Sequence, residues 1–170
     1  MSRWLIVSMP VFFGVLMLAP SVRAGSLVQF DGGIGVIPVV AGGGANTVRG
    51  VSPAGNPWVI EDFKAKVKEN GEIKADGKGL VLAGGNSIGT PDGVTMVAAT
   101  LFCQTSAGPP AATFSAHSSG AHPLAADGDF KIRDTLSPTP PDPCTNPALL
   151  IRATNSTGVW LAAGIPKVDD

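Results

Sequence analysis

The segment from Trp58 to Ala83 constrains the fold most, because it has the sequence pattern of a β-hairpin. Apolar and charged residues alternate on both sides of Asn70-Gly71, and this period of two is typical of half-buried strands. Asn-Gly is also a strong hairpin signal, because glycine adopts a positive φ without steric cost. The alternating residues run from Phe63 to Lys68 and from Glu72 to Lys78. The sequence therefore predicts two neighbouring antiparallel strands.

The length of the turn decides which side chains share a face of this hairpin. A two-residue loop would pair Val67 with Lys74, so apolar and charged side chains would lie together. A three-residue loop, Glu69-Asn70-Gly71, pairs Val67 with Ile73 and ends in the left-handed glycine that such loops favour. We expect this register, although it places two like charges opposite each other. Its other pairs are Ala65 with Ala75, Phe63 with Gly77, Lys68 with Glu72, Lys64 with Asp76, Asp62 with Lys78, and Lys66 with Lys74.

The first 24 residues have the features of an export signal. Arg3 supplies the positive charge, an apolar run extends from Leu5 to Ala19, and Val22-Arg23-Ala24 precedes a cleavage site between Ala24 and Gly25. The apolar run is too short and too often interrupted to indicate a membrane span, so we expect no membrane span after cleavage. A retained N-terminal anchor helix is the alternative. The sequence therefore predicts a secreted or periplasmic protein.

Length and composition predict one all-β domain over residues 25–170. This length is sufficient for a hydrophobic core, and the chain contains 22 Gly and 15 Pro, with few long polar helical runs. Without Arg3 and Arg23 the chain carries ten basic and thirteen acidic residues, a formal net charge of −3. No basic stripe indicates a nucleic-acid partner. We expect neither nucleic acid nor a cofactor.

The two cysteines, Cys103 and Cys144, predict a disulfide, because exported proteins mature in an oxidising compartment. Closing a loop of about 40 residues stabilises a fold by roughly 4 kcal/mol. A metal site or a reactive thiol is the alternative, but the chain has no CxxC motif and neither cysteine has a histidine nearby. Cys144 lies in the Pro-rich segment 137–147, whose prolines lack the N–H that a sheet requires. We expect an extended crossover there, attached by the disulfide to the segment from Val94 to Cys103, whose continuous apolar run predicts a fully buried central strand.

The remaining strand signals are separated by turn residues. Gly25 to Val51 is a Gly-rich arm in which Pro38 argues against a central strand, so we expect edge strands or a loosely attached arm. About eight strands and no amphipathic helix predict a single antiparallel β-sandwich, Ig-like or jelly-roll-like, with a small β-barrel as the alternative. The further strands are Leu80 to Ala83, Val94 to Cys103, Ala111 to Ala116, Leu124 to Ala126, Phe130 to Arg133, Ala148 to Ala153 and Val159 to Ile165.

The residues with the most chemical potential are His117 and His122, followed by Asp127 and Asp129. Serines lie near the histidines, so a small secreted hydrolase and a divalent-metal-dependent module are alternative functions. However, no GxSxG elbow surrounds these serines, and His-x4-His is a poor metal spacing. Asp127-Gly128-Asp129 also lacks the remaining ligands of a calcium loop. We therefore assign no catalytic, cofactor-binding or metal-binding residue from the sequence.

The hairpin lysines form an exposed basic face in which acidic residues are interleaved. A solvated sheet face explains this pattern, with binding of an anionic polymer as the lesser alternative. The lysines are Lys64, Lys66, Lys68, Lys74 and Lys78.

Two tryptophans and one asparagine complete the set of candidate contact residues. Trp58 and Trp160 are expected to anchor the core or the strand ends rather than to form a ligand platform. Asn155-Ser156-Thr157 matches the N-glycosylation acceptor motif. Taken together, the sequence predicts a secreted, non-catalytic β-domain with a binding or structural role at the cell envelope or outside the cell. The sequence identifies no partner, and a glycan and a protein are both compatible with it.

Overall fold

The computed structural model describes residues 25–41, 44–108, 111–155 and 158–167, which form thirteen β-strands and no helix. The predicted antiparallel all-β fold is confirmed. The export signal and Ala24 lie outside these described residues. The strands are β1 (Ser26–Gly35), β2 (Val40–Ala41), β3 (Gly44–Ala45), β4 (Trp58–Val59), β5 (Asp62–Lys68), β6 (Glu72–Lys78), β7 (Val81–Leu82), β8 (Met96–Ser106), β9 (Thr113–Ser118), β10 (His122–Pro123), β11 (Phe130–Thr135), β12 (Ala148–Ala153) and β13 (Trp160–Pro166).

Nine strands belong to one curled antiparallel sheet in the order β10-β8-β12-β13-β1-β5-β6-β11, with β9 also paired to β8. The two ends of this sheet meet through single bridges, one between Ser118 and Ser137 and one between Leu124 and Phe130. Two short pairs, β2 with β3 and β4 with β7, lie outside this sheet. The curl gives the sheet an inner face that carries the core and an outer face that carries the charges.

The central hairpin has the register that the sequence predicts. β5 and β6 pair from Asp62 opposite Lys78 to Val67 opposite Ile73. Gly71 ends the three-residue loop with a φ of 84°, in the region where glycine is favoured. The same register continues beyond β5 and β6 into the pair of β4 and β7. The hairpin therefore extends over almost the whole segment that the pattern identified.

The core lies against the inner face of the sheet and is continuous from the hairpin to β8. Phe63, Val67 and Ile73 are buried almost completely, as are Leu101 of β8 and Ile151 of β12. Burying one such side chain stabilises the fold by about 1.5–3 kcal/mol. β8 lies between β12 and the strands β9 and β10, so the predicted buried central strand is confirmed.

β1 corrects the prediction for the Gly-rich arm. Residues 26–35 form an internal strand between β13 and β5, so the prediction of an edge strand or a loose arm is wrong for this part. Pro38 lies beyond the end of β1, and its missing N–H therefore interrupts no ladder. Gly35 allows the close approach of β4, because a Cβ at this position would clash with the carbonyl oxygen of Trp58.

The Pro-rich segment 137–147 contains no strand and connects β11 at one end of the sheet with β12 in its middle. The predicted disulfide between Cys103 and Cys144 is present and holds this crossover against β8. The carbonyl oxygen of Thr145 also accepts a hydrogen bond of 2.8 Å from the N–H of Gln104. The crossover is therefore attached at the residues next to the disulfide.

We expect the double substitution Cys103→Ala/Cys144→Ala to lower the free energy of unfolding by about 4 kcal/mol, because the disulfide closes a loop with a sequence separation of 41. Urea denaturation of the variant and of the oxidised wild type measures this difference. Reduced and alkylated wild-type protein is the control for the changed side chains. An unchanged midpoint would mean that backbone hydrogen bonds alone hold the crossover.

Candidate functional site

His117 is the most buried of the residues that the sequence singled out, with 3% of its surface exposed. Its Nδ1 lies 2.7 Å from the carbonyl oxygen of Pro138, and its Nε2 lies 2.7 Å from Oγ of Ser115. Because a carbonyl oxygen can only accept, Nδ1 carries a proton. In the neutral ring, Nε2 competes for the one hydroxyl proton of Ser115 with the carbonyl oxygen of Cys103, which lies 3.3 Å from the same Oγ. This is the geometry of a serine beside a general base.

The surroundings of His117 favour a structural role for this pair. Both ring nitrogens have protein partners, and Pro138 belongs to the crossover. The neighbouring Ser118 exchanges two backbone hydrogen bonds with Ser137, at 2.9 and 3.0 Å. These contacts fasten the start of the crossover to β9, where one end of the sheet closes. We therefore interpret His117 as a clamp between β9 and the crossover.

His122 pairs with an acid that the sequence analysis did not select. Its Nε2 lies 3.1 Å from Oδ2 of Asp134, and the same oxygen accepts a hydrogen bond of 2.8 Å from the N–H of Gly120. Hydrogen bonds from the Thr135 N–H, from His122 and from Gly120 lower the pKa of Asp134. Because His122 begins β10 and Asp134 lies on β11, this pair joins the two ends of the curled sheet.

Asp127 and Asp129 stabilise a turn instead of meeting the histidines. Oδ1 of Asp127 accepts from the N–H of Asp129 at 3.1 Å, and Oδ1 of Asp129 accepts from the N–H of Gly79 at 3.1 Å. Within the described ranges, no group of three or more His, Cys, Asp or Glu residues is placed to hold a metal ion. Within the same ranges, no hydrogen bond joins His117 or His122 to Asp127 or Asp129.

The two tryptophans and the asparagine selected from the sequence lie in the core and between two strands. Trp58 and Trp160 are buried in the core, as predicted. Asn155 lies between β12 and β13, and its carbonyl oxygen accepts a hydrogen bond of 3.2 Å from the N–H of Gly158. Ser156 and Thr157 lie outside the described residues, so glycosylation of Asn155 stays a prediction.

Most of the positive charge lies on the outer face of β1, β5, β6 and β11 and on Lys167, which follows β13 beside β1; we term this surface the basic face. Side chains alternate along these strands, so the charged residues share one side of the sheet. Eight of the ten lysines and arginines that follow Ala24 are on this face, while Arg49 and Arg152 are elsewhere. Besides the five lysines of the hairpin, the face includes Lys131, Arg133 and Lys167. Its acidic residues are Asp31, Asp62, Glu72 and Asp76.

The strand register arranges these charges in rows across the sheet. In one row, Lys64 lies opposite Asp31 on one side and Asp76 on the other, and Asp76 lies opposite Lys131. Opposite charges therefore alternate along this row and compensate each other.

The adjacent row contains positive charges without an acid among them. Lys66 lies opposite Gln29 and Lys74, and Lys74 lies opposite Arg133. Lys167 extends the row beyond β1, because its N–H donates to the carbonyl oxygen of Gln29. Lys66, Lys74, Arg133 and Lys167 form what we term the cationic row. A depression of about 240 Å³ lies over it and is lined by Gln29 and three of these cations, together with Asp31, Lys64 and Asp76 of the compensated row.

The salt bridges on the basic face leave several cations unpaired. Lys68 and Lys74 share Glu72, at 2.7 and 3.6 Å, and the Lys68 ammonium lowers the pKa of this carboxyl. Nη2 of Arg133 donates to both carboxylate oxygens of Asp76 at 2.8 Å. In the part of the chain that the structure describes, the lysines without a salt bridge on this face are Lys64, Lys66, Lys78, Lys131 and Lys167.

The sequence analysis missed three cations of the basic face. Lys131 and Arg133 alternate with buried Phe130 and Ile132, so their outward direction could have been read from the sequence. Their position beside β6 could not, because β6 and β11 are far apart in the chain. Lys167 follows the last strand and has no pattern that marks it.

An apolar groove of about 480 Å³ lies on another part of the surface, next to β4. Ile34 and Ile37 line it and are 61% and 67% exposed. None of its lining residues is titratable, so the groove offers apolar contact but no charged group to orient a ligand.

No protein-family model matches the chain, and no curated protein or solved structure is significantly similar to it. In the described ranges, no helix is long and apolar enough to cross a membrane.

Substituting His117 by alanine is expected to destabilise the protein by about 1–3 kcal/mol, because the Pro138 carbonyl oxygen and the Ser115 hydroxyl lose a partner. Ser115→Ala, which leaves the hydrogen bond between His117 and the Pro138 carbonyl oxygen in place, should cost less. Chemical denaturation of both variants measures the difference. A fluorophosphonate probe tests the alternative, because labelling of Ser115 in the wild type would identify it as a nucleophile and contradict the clamp interpretation.

Asp134→Asn is expected to reduce stability at neutral pH and to have little effect in acid. The folded-state pKa of Asp134 lies below its unfolded value, so the ionised carboxylate adds stability above the unfolded pKa. This contribution is lost as the pH falls through the folded pKa, below about pH 4. Thermal unfolding of the variant and the wild type between neutral and acidic pH measures it. Asp142→Asn in the crossover is the control, and a difference that persists in acid would contradict the prediction.

Proposed function

We propose that the protein is an exported, non-catalytic β-domain that binds an anionic polysaccharide at the cell envelope or outside the cell, through its basic face. The observation that carries this proposal is the segregation of charge. The basic face holds eight cations and four acids, whereas the other described residues include two cations and seven acids. A domain with a net negative charge thus presents one positive side, and such a field attracts and orients polyanions.

The side chains of the basic face favour a polysaccharide over a membrane or a nucleic acid. The outward residues of β5, β6 and β11 are Lys, Arg, Asp, Glu and Thr. Membrane-surface elements also insert apolar side chains, and single-stranded nucleic acids stack on aromatic ones. Ammonium groups attract the charges of an acidic polysaccharide, and the interleaved carboxylates accept hydrogen bonds from its hydroxyl groups.

Export is supported by two independent features. The first 24 residues have the pattern of a signal peptide, and the disulfide between Cys103 and Cys144 is typical of proteins outside the cytoplasm. An exported domain meets the acidic polysaccharides of envelopes and matrices. The non-catalytic part of the proposal is supported by His117 and His122, whose hydrogen bonds hold together segments of the curled sheet.

We expect the wild type to bind polygalacturonate and dextran sulfate but not neutral dextran, with an affinity that falls as salt is added, because screening shortens the range of surface charges. Lys66→Gln/Lys131→Gln should weaken binding by about tenfold, if each contact contributes about 0.7 kcal/mol. Isothermal titration calorimetry or biolayer interferometry measures these affinities.

The matched control is Arg49→Gln/Arg152→Gln, which removes the same charge from outside the basic face and should change the affinity by less than about twofold. Equal losses in the two variants would show that net charge, and not the face, attracts the polymer. Binding to phosphatidylglycerol vesicles without binding to the polysaccharides would overturn the proposal in favour of a membrane surface. Thermal unfolding verifies that each variant is folded.

A further inference from the structure

We infer that the polysaccharide crosses the strands of the basic face along the cationic row, instead of running parallel to the strands. The inference rests on the proposed function and adds the direction, the length and the charge spacing of the ligand. It follows from the order of charges in neighbouring rows.

The two directions on the sheet present different charge patterns. Successive outward residues of one strand are about 7 Å apart, whereas neighbouring strands are about 4.8 Å apart. Along the cationic row, Lys66 and Lys74 occupy neighbouring strands, with Gln29 and Lys167 on one side. An anionic chain in this direction meets no carboxylate within the row.

The alternative path follows β5 through Lys64, Lys66 and Lys68. Lys64 lies between Asp31 and Asp76 in its own row, and Lys68 is bound by Glu72 at 2.7 Å. Both ends of this path are therefore partly neutralised. Lys66 is the point where the two paths cross, and neither of its register partners is acidic.

The depression over the cationic row supports the crossing direction. It is lined by Lys167, Gln29, Lys66 and Lys74, which belong to or follow four different strands, and by residues of the adjacent compensated row, Asp31, Lys64 and Asp76. The depression thus spans four strands but only two rows, and its longer direction crosses the strands. Gln29 lies between the cations and supplies an amide that donates to and accepts from sugar hydroxyl groups. Arg133, at the far end, is held by Asp76, and Lys74 lies 3.6 Å from Glu72, so Lys66 and Lys167 are the cations of the row without a salt bridge to a described residue.

The dimensions of the row define the ligand. From Lys167 to Arg133 it extends over five strand positions, or about 19 Å at the usual strand spacing, the length of a chain of about four sugar units. The spacing between neighbouring strands is close to the length of one sugar unit. The row therefore matches a linear polysaccharide with one negative charge per sugar, such as a polyuronate.

The row also places like charges opposite each other, which is consistent with a binding role. Like charges directly opposite each other in a sheet destabilise it, and Lys66, Lys74 and Arg133 form two such pairs. An anionic ligand would relieve this repulsion on binding. Lys66→Gln should therefore leave the unfolding midpoint unchanged or slightly raised while it weakens ligand binding.

Two double variants distinguish the paths without changing Lys66. Lys74→Gln/Lys167→Gln removes the nearest cations on either side of Lys66 along the row, and Lys64→Gln/Lys68→Gln removes its nearest cations along β5. Both variants lose the same charge from the same face. The probes are galacturonate di-, tetra- and octasaccharides, titrated by calorimetry at low and physiological salt. Thermal unfolding of each variant verifies the fold.

We expect the row variant to bind the octasaccharide about tenfold more weakly and the β5 variant within about twofold of the wild type. Affinity should rise from the di- to the tetrasaccharide and change little beyond it. A larger loss in the β5 variant, or equal losses in both, would overturn the inference while the proposed function stands. If the wild type binds neither the octasaccharide nor the long polymer, the proposed function itself fails.

Discussion

The burial of apolar side chains in the hairpin of β5 and β6 is the constraint on which the rest of the structure depends. The pairs of Val67 with Ile73 and of Phe63 with Gly77 place every apolar residue of the hairpin on the inner face. Because a slip of one residue would expose this whole set to water, the register is strongly specified. The same register also decides which charges lie opposite each other on the outer face. The core thus determines the order of charges on the surface.

The two histidines that the sequence offered as catalytic or metal-binding candidates make hydrogen bonds where the curled sheet closes. His117 clamps β9 to the crossover, and His122 with Asp134 joins β10 to β11. The disulfide between Cys103 and Cys144 holds the same crossover against β8. Polar groups with saturated hydrogen bonds are well suited to this structural task. The basic face takes no part in these closing contacts, and its side chains are therefore available to bind a partner.

The candidate site was only partly predictable, because its residues come from strands that are distant in sequence. The five hairpin lysines and the opposition of Lys66 to Lys74 follow from local alternation and turn length. The addition of Arg133 opposite Lys74 requires the pairing of β6 with β11, and that of Lys167 requires the pairing of β1 with β13. Neither pairing has a local signal, since a sheet partner is selected by the packing of the whole core. The same reason explains why Asp134 was missed as the partner of His122.

From the sequence alone one obtains the all-β class, the hairpin register, the disulfide partners and the Pro-rich crossover, because each rests on local periodicity, turn chemistry or the presence of only two cysteines. Only the tertiary structure decided that β1 is internal, that the sheet curls until its ends meet, and that the cations align in a row. These features depend on which strands become neighbours. That choice is made by the free energy of burying the complete apolar face, to which every strand contributes.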